Sequence, residues 1–284
     1  MIIAIASGKG GTGKTTIATN LALVAPASQY LDCDVEEPNG HLFLKPTISD
    51  KRDVTMPIPK IDDELCTYCG QCAAACEFNA LAVIGEKVMV FSELCHGCGA
   101  CTFICPEEAI SETTKVIGYL EIGKAKAVLE DELFFGHGVS NVGNPLSPPI
   151  IKKVKKLVNE DCFAILDAPP GTSCPMVQTL MGCDYCLFVT EPTPFGLNDL
   201  ELAVGVARQL EIPYGILINR SDSGDSQVQE YCRREAIPIL MEIPFDRDLA
   251  FAYSKGEAAV IHSQSLREGF QKLYQKIAVS YTHL

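Results

Sequence analysis

Residues 2–24 read IIAIASGKGGTGKTTIATNLALV, an apolar run, a loop with four glycines in six positions, and then a helix-forming segment. Strand, glycine loop and helix in immediate succession call for an α/β layer fold, because a buried strand feeding straight into a helix must pack that helix back on its own sheet. The loop fits the phosphate-binding pattern through Gly8, Gly13, Lys14 and Thr15. Gly8, Gly10, Gly11 and Gly13 let backbone N–H groups point inward at phosphate oxygens, where a Cβ would obstruct. Thr12 and Thr16 complete the stretch. Lys14 is spaced to reach the two terminal phosphates and the Thr15 hydroxyl to ligate Mg²⁺, while the helix offers its positive end to the same anion. The alternative is a glycine-rich turn with no ligand, and the flanking elements weigh against it.

Further nucleotide machinery follows in order. DCFAILDAPPGT (161–172) is an apolar strand ending at Asp167, a carboxylate placed to hold the Mg²⁺ shell. QYLDCDVEEPN sets Asp32 and Asp34 at the end of an earlier strand, where a carboxylate can orient water; either residue can instead cap a turn. Downstream, VTEPTPFGLNDLELAVGVARQLEI reads as strand, loop and helix, PYGILINR as strand, DSQVQEYCRREA as helix and PILMEIP as strand. This alternation predicts an α/β fold with a mostly parallel sheet covered by helices on both faces.

KGGTGKTT, DCDVEEPN, DAPPGT, VTEPTPFG and IPFD, in this order, resemble the deviant Walker A P-loop ATPases, the MinD/ParA/Mrp group that includes the nitrogenase iron protein. The resemblance spans nearly the whole chain outside residues 60–112. It implies binding and hydrolysis of ATP with Mg²⁺, and a homodimer or a pair with a paralogue. It also explains Lys9, one lysine more than the loop itself needs: the matching residue reaches across the dimer to the partner's phosphates. Lys9, Lys14, Asp34 and Asp167 then form the catalytic set, with Asp34 activating water. Asn219 and Arg220 match the adenine-contacting pair, and Pro244–Asp246 match a second base-side loop.

Of fourteen cysteines, eight fall between positions 66 and 105. CTYCGQCAAAC (66–76) and CHGCGACTFIC (95–105) each read C-x2-C-x2-C-x3-C, and each cysteine of the first run recurs 29 residues later. This is the two-cluster bacterial ferredoxin pattern, in which the fourth cysteine of a run serves the other cluster. One [4Fe-4S] cluster is expected on Cys66, Cys69, Cys72 and Cys105, and the other on Cys95, Cys98, Cys101 and Cys76. Zinc is the competing metal for four thiolates. Pro106 follows Cys105 as the pattern expects, but Glu77 follows Cys76 and brings a negative charge beside that site. His96, inside a cysteine loop, reads as solvent-facing or hydrogen-bonded, not as a ligand. The expected organisation is an ATPase domain at 1–59 and 113–279, interrupted by a small α+β bacterial ferredoxin-like domain at 60–112. Proline-rich MPIPKIDDE leads in and SETTKVIGYL leads out, so the cysteines hang from the segment after Asp34.

Cys33, Cys162 and Cys232 read as buried apolar side chains. Cys183 and Cys186 form a C-x2-C, but Cys186 opens the strand CLFVTEP and reads as core. Cys174 lies seven residues after Asp167, as a cluster ligand does in the nitrogenase iron protein; no second cysteine pairs with it here. The last helix carries Leu266, Phe270, Leu273, Tyr274 and Ile277 on one face, which suits packing on its own domain better than a membrane. Residues 280–284 read as a non-native tail.

A net charge of −13 argues against nucleic acid as a partner. No run approaches the roughly 18 apolar residues of a membrane span, and the N-terminus lacks a signal peptide's basic start, so a cytoplasmic location is expected. Cysteines in such excess point to metal or redox chemistry. The expected function is an ATPase coupling nucleotide-driven dimerisation to electron transfer toward a redox or cofactor-biosynthesis partner. The alternative is an ATP-dependent carrier or scaffold for iron–sulfur or another metallocofactor.

Overall fold

Eleven strands occur among the residues described, 1–129 and 132–282 of a computed structural model; the final two residues of the expected tail lie outside that range. They are β1 (Ile2–Ala6), β2 (Ser28–Asp32), β3 (Thr47–Ile61), β4 (Leu81–Val83), β5 (Val88–Val90), β6 (Ile110–Ala125), β7 (Leu133–Ser140), β8 (Phe163–Asp167), β9 (Tyr185–Thr190), β10 (Tyr214–Asn219) and β11 (Ile239–Ile243). Nine form one sheet in the order β11-β10-β9-β1-β8-β2-β7-β6-β3, and β4 and β5 form a separate hairpin. From β11 to β7 every neighbouring pair is parallel. β6 runs antiparallel to both β7 and β3.

Alternate residues of the buried strands feed two cores. Ala4 and Ala6 of β1 face one side, with Ile150 and Val154 of helix Pro148–Lys155, Met176 and Leu180 of helix Cys174–Leu180, and Ala203 of helix Pro194–Gln209. Ile3 and Ile5 face the other, with Ile17 and Leu21 of helix Lys14–Val24 and Phe270, Leu273 and Ile277 of helix Gln264–Thr282. The last helix therefore spends its apolar face on its own domain. None of the described helices is long and apolar enough to cross a membrane. Helices on both faces of a mostly parallel sheet, with β1 between β8 and β9, is the expected P-loop architecture.

The antiparallel edge differs from the sequence reading. The proline-rich lead-in, as far as Ile61, and the exit segment lie in β3 and β6, which pair from Thr47↔Lys124 to Ile61↔Ile110. β3 tolerates Pro57 and Pro59 because it is an edge strand. The expected boundaries at 59/60 and 112/113 fall inside these two strands. The chain also returns through β6, β7 and helix Pro148–Lys155 before reaching β8. The cysteine region therefore rides on a two-stranded ribbon at the sheet edge, and its exit is not adjacent in sequence to Asp167.

Within that region the 29-residue repeat is a backbone repeat. Tyr68 and Gly97, Gly70 and Gly99, and Asn79 and Glu108 are three pairs in the left-handed conformation. Hydrogen bonds cross between the halves: Asp62 N–H donates to Ala109 O (2.8 Å) and Phe91 N–H to Ala80 O (2.9 Å). The hairpin β4–β5, closed by Leu81↔Val90, repeats the end of the ribbon at Ile61↔Ile110.

Candidate nucleotide site and cysteine cavities

The loop after β1 ends in Gly13, whose φ of 90° starts helix Lys14–Val24 from the left-handed region, and Gly11 shares that conformation at 82°. Two glycines are needed for space. A Cβ on Gly8 would lie 2.1 Å from the Asp199 carbonyl oxygen, and one on Gly13 would lie 2.5 Å from Asn219 Nδ2. Nothing stands within 4 Å of the corresponding position on Gly10 or Gly11. Thr12 Oγ1 is buried with no hydrogen-bond partner among the described residues. A loop with open glycines and a buried unpaired hydroxyl fits a phosphate group, whose oxygens accept hydrogen bonds.

The carboxylates converge through sheet register, because Asp32 of β2 pairs directly with Asp167 of β8. Lys14 Nζ bonds Asp167 Oδ1 at 2.5 Å in a buried pair. Burial pulls the ammonium toward neutrality, but Asp167, with Asp34 and Asp32 beyond it, overrides that and holds its pKa above the ordinary lysine value. Burial raises Asp32 to about 8, with repulsion from Asp167 adding and Lys14 and the Gly40 N–H opposing. Asp32 accepts from the N–H groups of Asp34 and Gly40, each at 3.0 Å, so it shapes the turn that presents Asp34. Asp34 lines an open cavity with Glu36, Ser147, Pro169 and Ser173. Burial lifts it to about 6, opposed by Lys14 and aided by Asp167 and Glu36.

Gly11, Gly13, Thr16, Asn219, Arg220, Pro244 and Asp246 line one open cavity. Asn219 Nδ2 donates to Thr12 O (2.8 Å), tying the end of β10 to the loop. Phe245, between Pro244 and Asp246 in the IPFD motif, lines the same cavity, as does Tyr253, which no sequence motif marks. Lys9 is partly exposed and lies 3.9 Å from Glu191, which also holds Arg220 at 2.6 Å. Thr15, in the first turn of the helix, is half-buried.

Two further cavities sit in the cysteine region. One is lined by Cys76, Cys95, Cys98 and Cys101, together with Pro57, Pro59, Phe78 and His96. The other is lined by Cys66, Cys69, Cys72 and Cys105, with Ile61 and Ile110 at the ribbon's end. The thiols ring these spaces without meeting at a point: among the described residues no three His, Cys, Asp or Glu side chains converge closely enough for a single metal ion. Four soft donors around a void fit a polynuclear iron–sulfur group better than one zinc ion. Burial raises the Cys72 and Cys101 thiols above the usual range. His96 is exposed and stacks on Phe78, with ring centroids 3.6 Å apart.

The other cysteines separate from these. Cys33, Cys183, Cys186 and Cys232 are buried, and burial pushes Cys183 up to about 12. Cys162 is only half-buried, less than its expected core role, and Cys174 is exposed.

Comparison with known proteins places this geometry. The profile of the CbiA, or CobQ/CobB/MinD/ParA, nucleotide binding domain matches residues 3–260. An uncharacterized protein of Methanocaldococcus jannaschii is 33% identical over 270 residues, 91% of each chain. An iron-sulfur cluster carrier protein of Pyrococcus horikoshii is 24% identical and covers 97% of this chain and 84% of its own. Among solved structures, the septum site-determining protein MinD with Mg-ADP from Pyrococcus horikoshii superposes with a TM-score of 0.59 at 18% identity, covering 97% and 95% of the two chains. A ParA family ATPase from Chlorobium tepidum superposes at 0.55, with 15% identity and coverage of 100% and 99%. Glycine loop, buried Lys14–Asp167 pair, sheet order and profile agree, and the chain is a P-loop ATPase of the CobQ/CobB/MinD/ParA nucleotide-binding family.

Proposed function

We propose that this ATPase carries two resident [4Fe-4S] clusters and couples nucleotide-driven pairing of two chains to electron transfer toward a partner protein. The observation that carries the reading is the pair of cavities, each ringed by three cysteines of one run and the fourth of the other. Cys66, Cys69, Cys72 and Cys105 would hold one cluster, and Cys95, Cys98, Cys101 and Cys76 the second. Bound there, the clusters supply one-electron redox chemistry. Lys14 and the loop amides bind the terminal phosphates, Thr15 and Asp167 hold Mg²⁺, and Asp34 takes the proton of the attacking water. Asn219, Arg220, Pro244 and Asp246 bound the base. Lys9 serves the partner chain's phosphates, and for that it must leave Glu191. The partner chain is a second copy or a paralogue, and the setting is cytoplasmic.

A second reading is cluster delivery, favoured by relatives named iron-sulfur cluster carrier proteins at 24% and 25% identity. The clusters are then cargo, and nucleotide turnover controls their release. Anaerobically purified protein should contain about eight irons per chain, and iron should stay bound through many ATP turnovers. Iron passing to an apo-acceptor in step with hydrolysis would establish delivery instead, and zinc without visible absorption would remove both readings. Lys9→Ala should bind ATP as a monomer yet neither pair nor hydrolyse, as size-exclusion chromatography with a non-hydrolysable analogue would show.

A further inference from the structure

One buried hydroxyl has contacts on both sides of the hydrolytic centre. Tyr30, in the middle of β2, is fully buried. Its Oη lies 2.9 Å from Asp167 Oδ2 and 3.3 Å from Asp32 Oδ2. Its ring stacks on Phe135 of β7, with centroids 5.9 Å apart. The third neighbour is Gly40, at the end of the turn that begins with Asp34: a Cβ there would lie 2.2 Å from the tyrosine oxygen. The hydroxyl thus touches the carboxylate held by Lys14, the aspartate that shapes the turn, and the turn itself.

We propose that Tyr30 is a positioning residue for ATP hydrolysis, fixing Asp167 toward Mg²⁺ and locking that carboxylate to the turn that carries Asp34. The inference rests on the role given to Asp167 above. Lys14 occupies one carboxylate oxygen and Tyr30 the other, so Asp167 is restrained at both atoms. When Lys14 turns to phosphate, Tyr30 is the contact that keeps Asp167 from rotating. A buried hydroxyl facing two carboxylates has one proton to donate, so it bonds one of them at a time.

The test is Tyr30→Phe, which keeps the ring and its stacking and removes only the oxygen. Removing a partner that orients a metal-holding carboxylate typically costs about 10–100-fold in metal affinity or activity. The variant should therefore lose about tenfold or more in kcat/KM for MgATP. Calorimetric titration with a non-hydrolysable ATP analogue gives a readout apart from turnover: the factor by which Mg²⁺ tightens binding should shrink about tenfold. Gly40→Ala, whose Cβ pushes the ring aside, should reproduce both effects. Asp167→Asn is the reference. If it loses hydrolysis and the Mg²⁺ effect while Tyr30→Phe and Gly40→Ala keep both, the tyrosine inference falls alone. If Asp167→Asn is itself unaffected, the reading of Asp167 falls first and takes the inference with it. A change confined to the melting temperature of Tyr30→Phe would mark the hydroxyl as structural and overturn the proposal.

Discussion

Asp34 and Asp32 stand two residues apart and do different things, and pH separates them. Asp34 must be ionised to accept a proton from water, and its pKa lies near 6. Its kcat/KM profile should therefore lose about tenfold per pH unit below that value, because kcat/KM reports the free enzyme. An acid limb near 4, or none, would take Asp34 out of the mechanism. Asp32 is held near 8, above its unfolded value, so the folded state holds its proton more tightly than the unfolded chain. Its contribution to stability is complete below about pH 4 and is lost as pH rises toward 8. Asp32→Asn, which keeps an acceptor for only one of the turn's two N–H groups, should lower stability overall but flatten that dependence; urea midpoints at pH 5 and pH 8 would show it. Sequence alone left open whether each aspartate was catalytic or a turn cap. That Asp32 shapes the turn depends on two N–H groups, one of them eight residues away at Gly40, which no local pattern encodes. Tyr30 was invisible for a related reason: an aromatic inside an apolar strand reads as core until the polar end is seen to face two carboxylates.

At the level of elements, what was legible is what depends on neighbours in sequence. The glycine loop declared itself, and Gly13→Ala shows how little freedom it has. The substitution forces a side chain to φ 90°, at about 1–2 kcal/mol, and drives its Cβ to 2.5 Å from Asn219 Nδ2. The Asn219–Thr12 tie must then open. Calorimetry should find nucleotide affinity down by about tenfold or more, since backbone strain of this kind costs about 1–3 kcal/mol. Affinity equal to the parent's would mean that the loop can relax elsewhere. The ribbon of β3 and β6 was not legible, because prolines at 57 and 59 argue against a strand unless the strand is known to be an edge. Edge position is a property of the assembled sheet. The ribbon is also held to the cysteine region by side chains: Lys115 of β6 reaches Glu93 at 3.3 Å, and a Cβ on Gly97 would lie 2.7 Å from Met56 of β3.

Across the whole molecule, the sheet order sets the distance over which nucleotide and cysteine cavities can communicate. From β8, with Asp167, the row runs through β2 and β7 to β6 and β3, and Asp167, Asp32, His137, Glu121 and Lys51 are successive register partners along it. His137 bonds Glu121 at 3.0 Å, and Glu121 bonds Lys51 at 3.0 Å. The cavity containing Cys76, Cys95, Cys98 and Cys101 meets β3 at Pro57 and Pro59, whereas the other meets β3 only at its last residue, Ile61, so a cluster in the first is the one expected to sense the nucleotide. A redox titration under ATP, under ADP and without nucleotide should show one of two midpoints moving and the other still, with the movement gone in Lys9→Ala. Exposure and nearby charge both tune such potentials. Three superimposable titrations would remove gating from the function. The exchange of fourth cysteines between the two runs also fixes a birth order. A ribosome emits residues at about 5–20 per second, and a chain cut anywhere before Cys101 owns no complete set of four thiols. The second set closes four residues later, at Cys105. Both sets therefore close within about a second of each other, and a chain shorter than 101 residues cannot complete either of them.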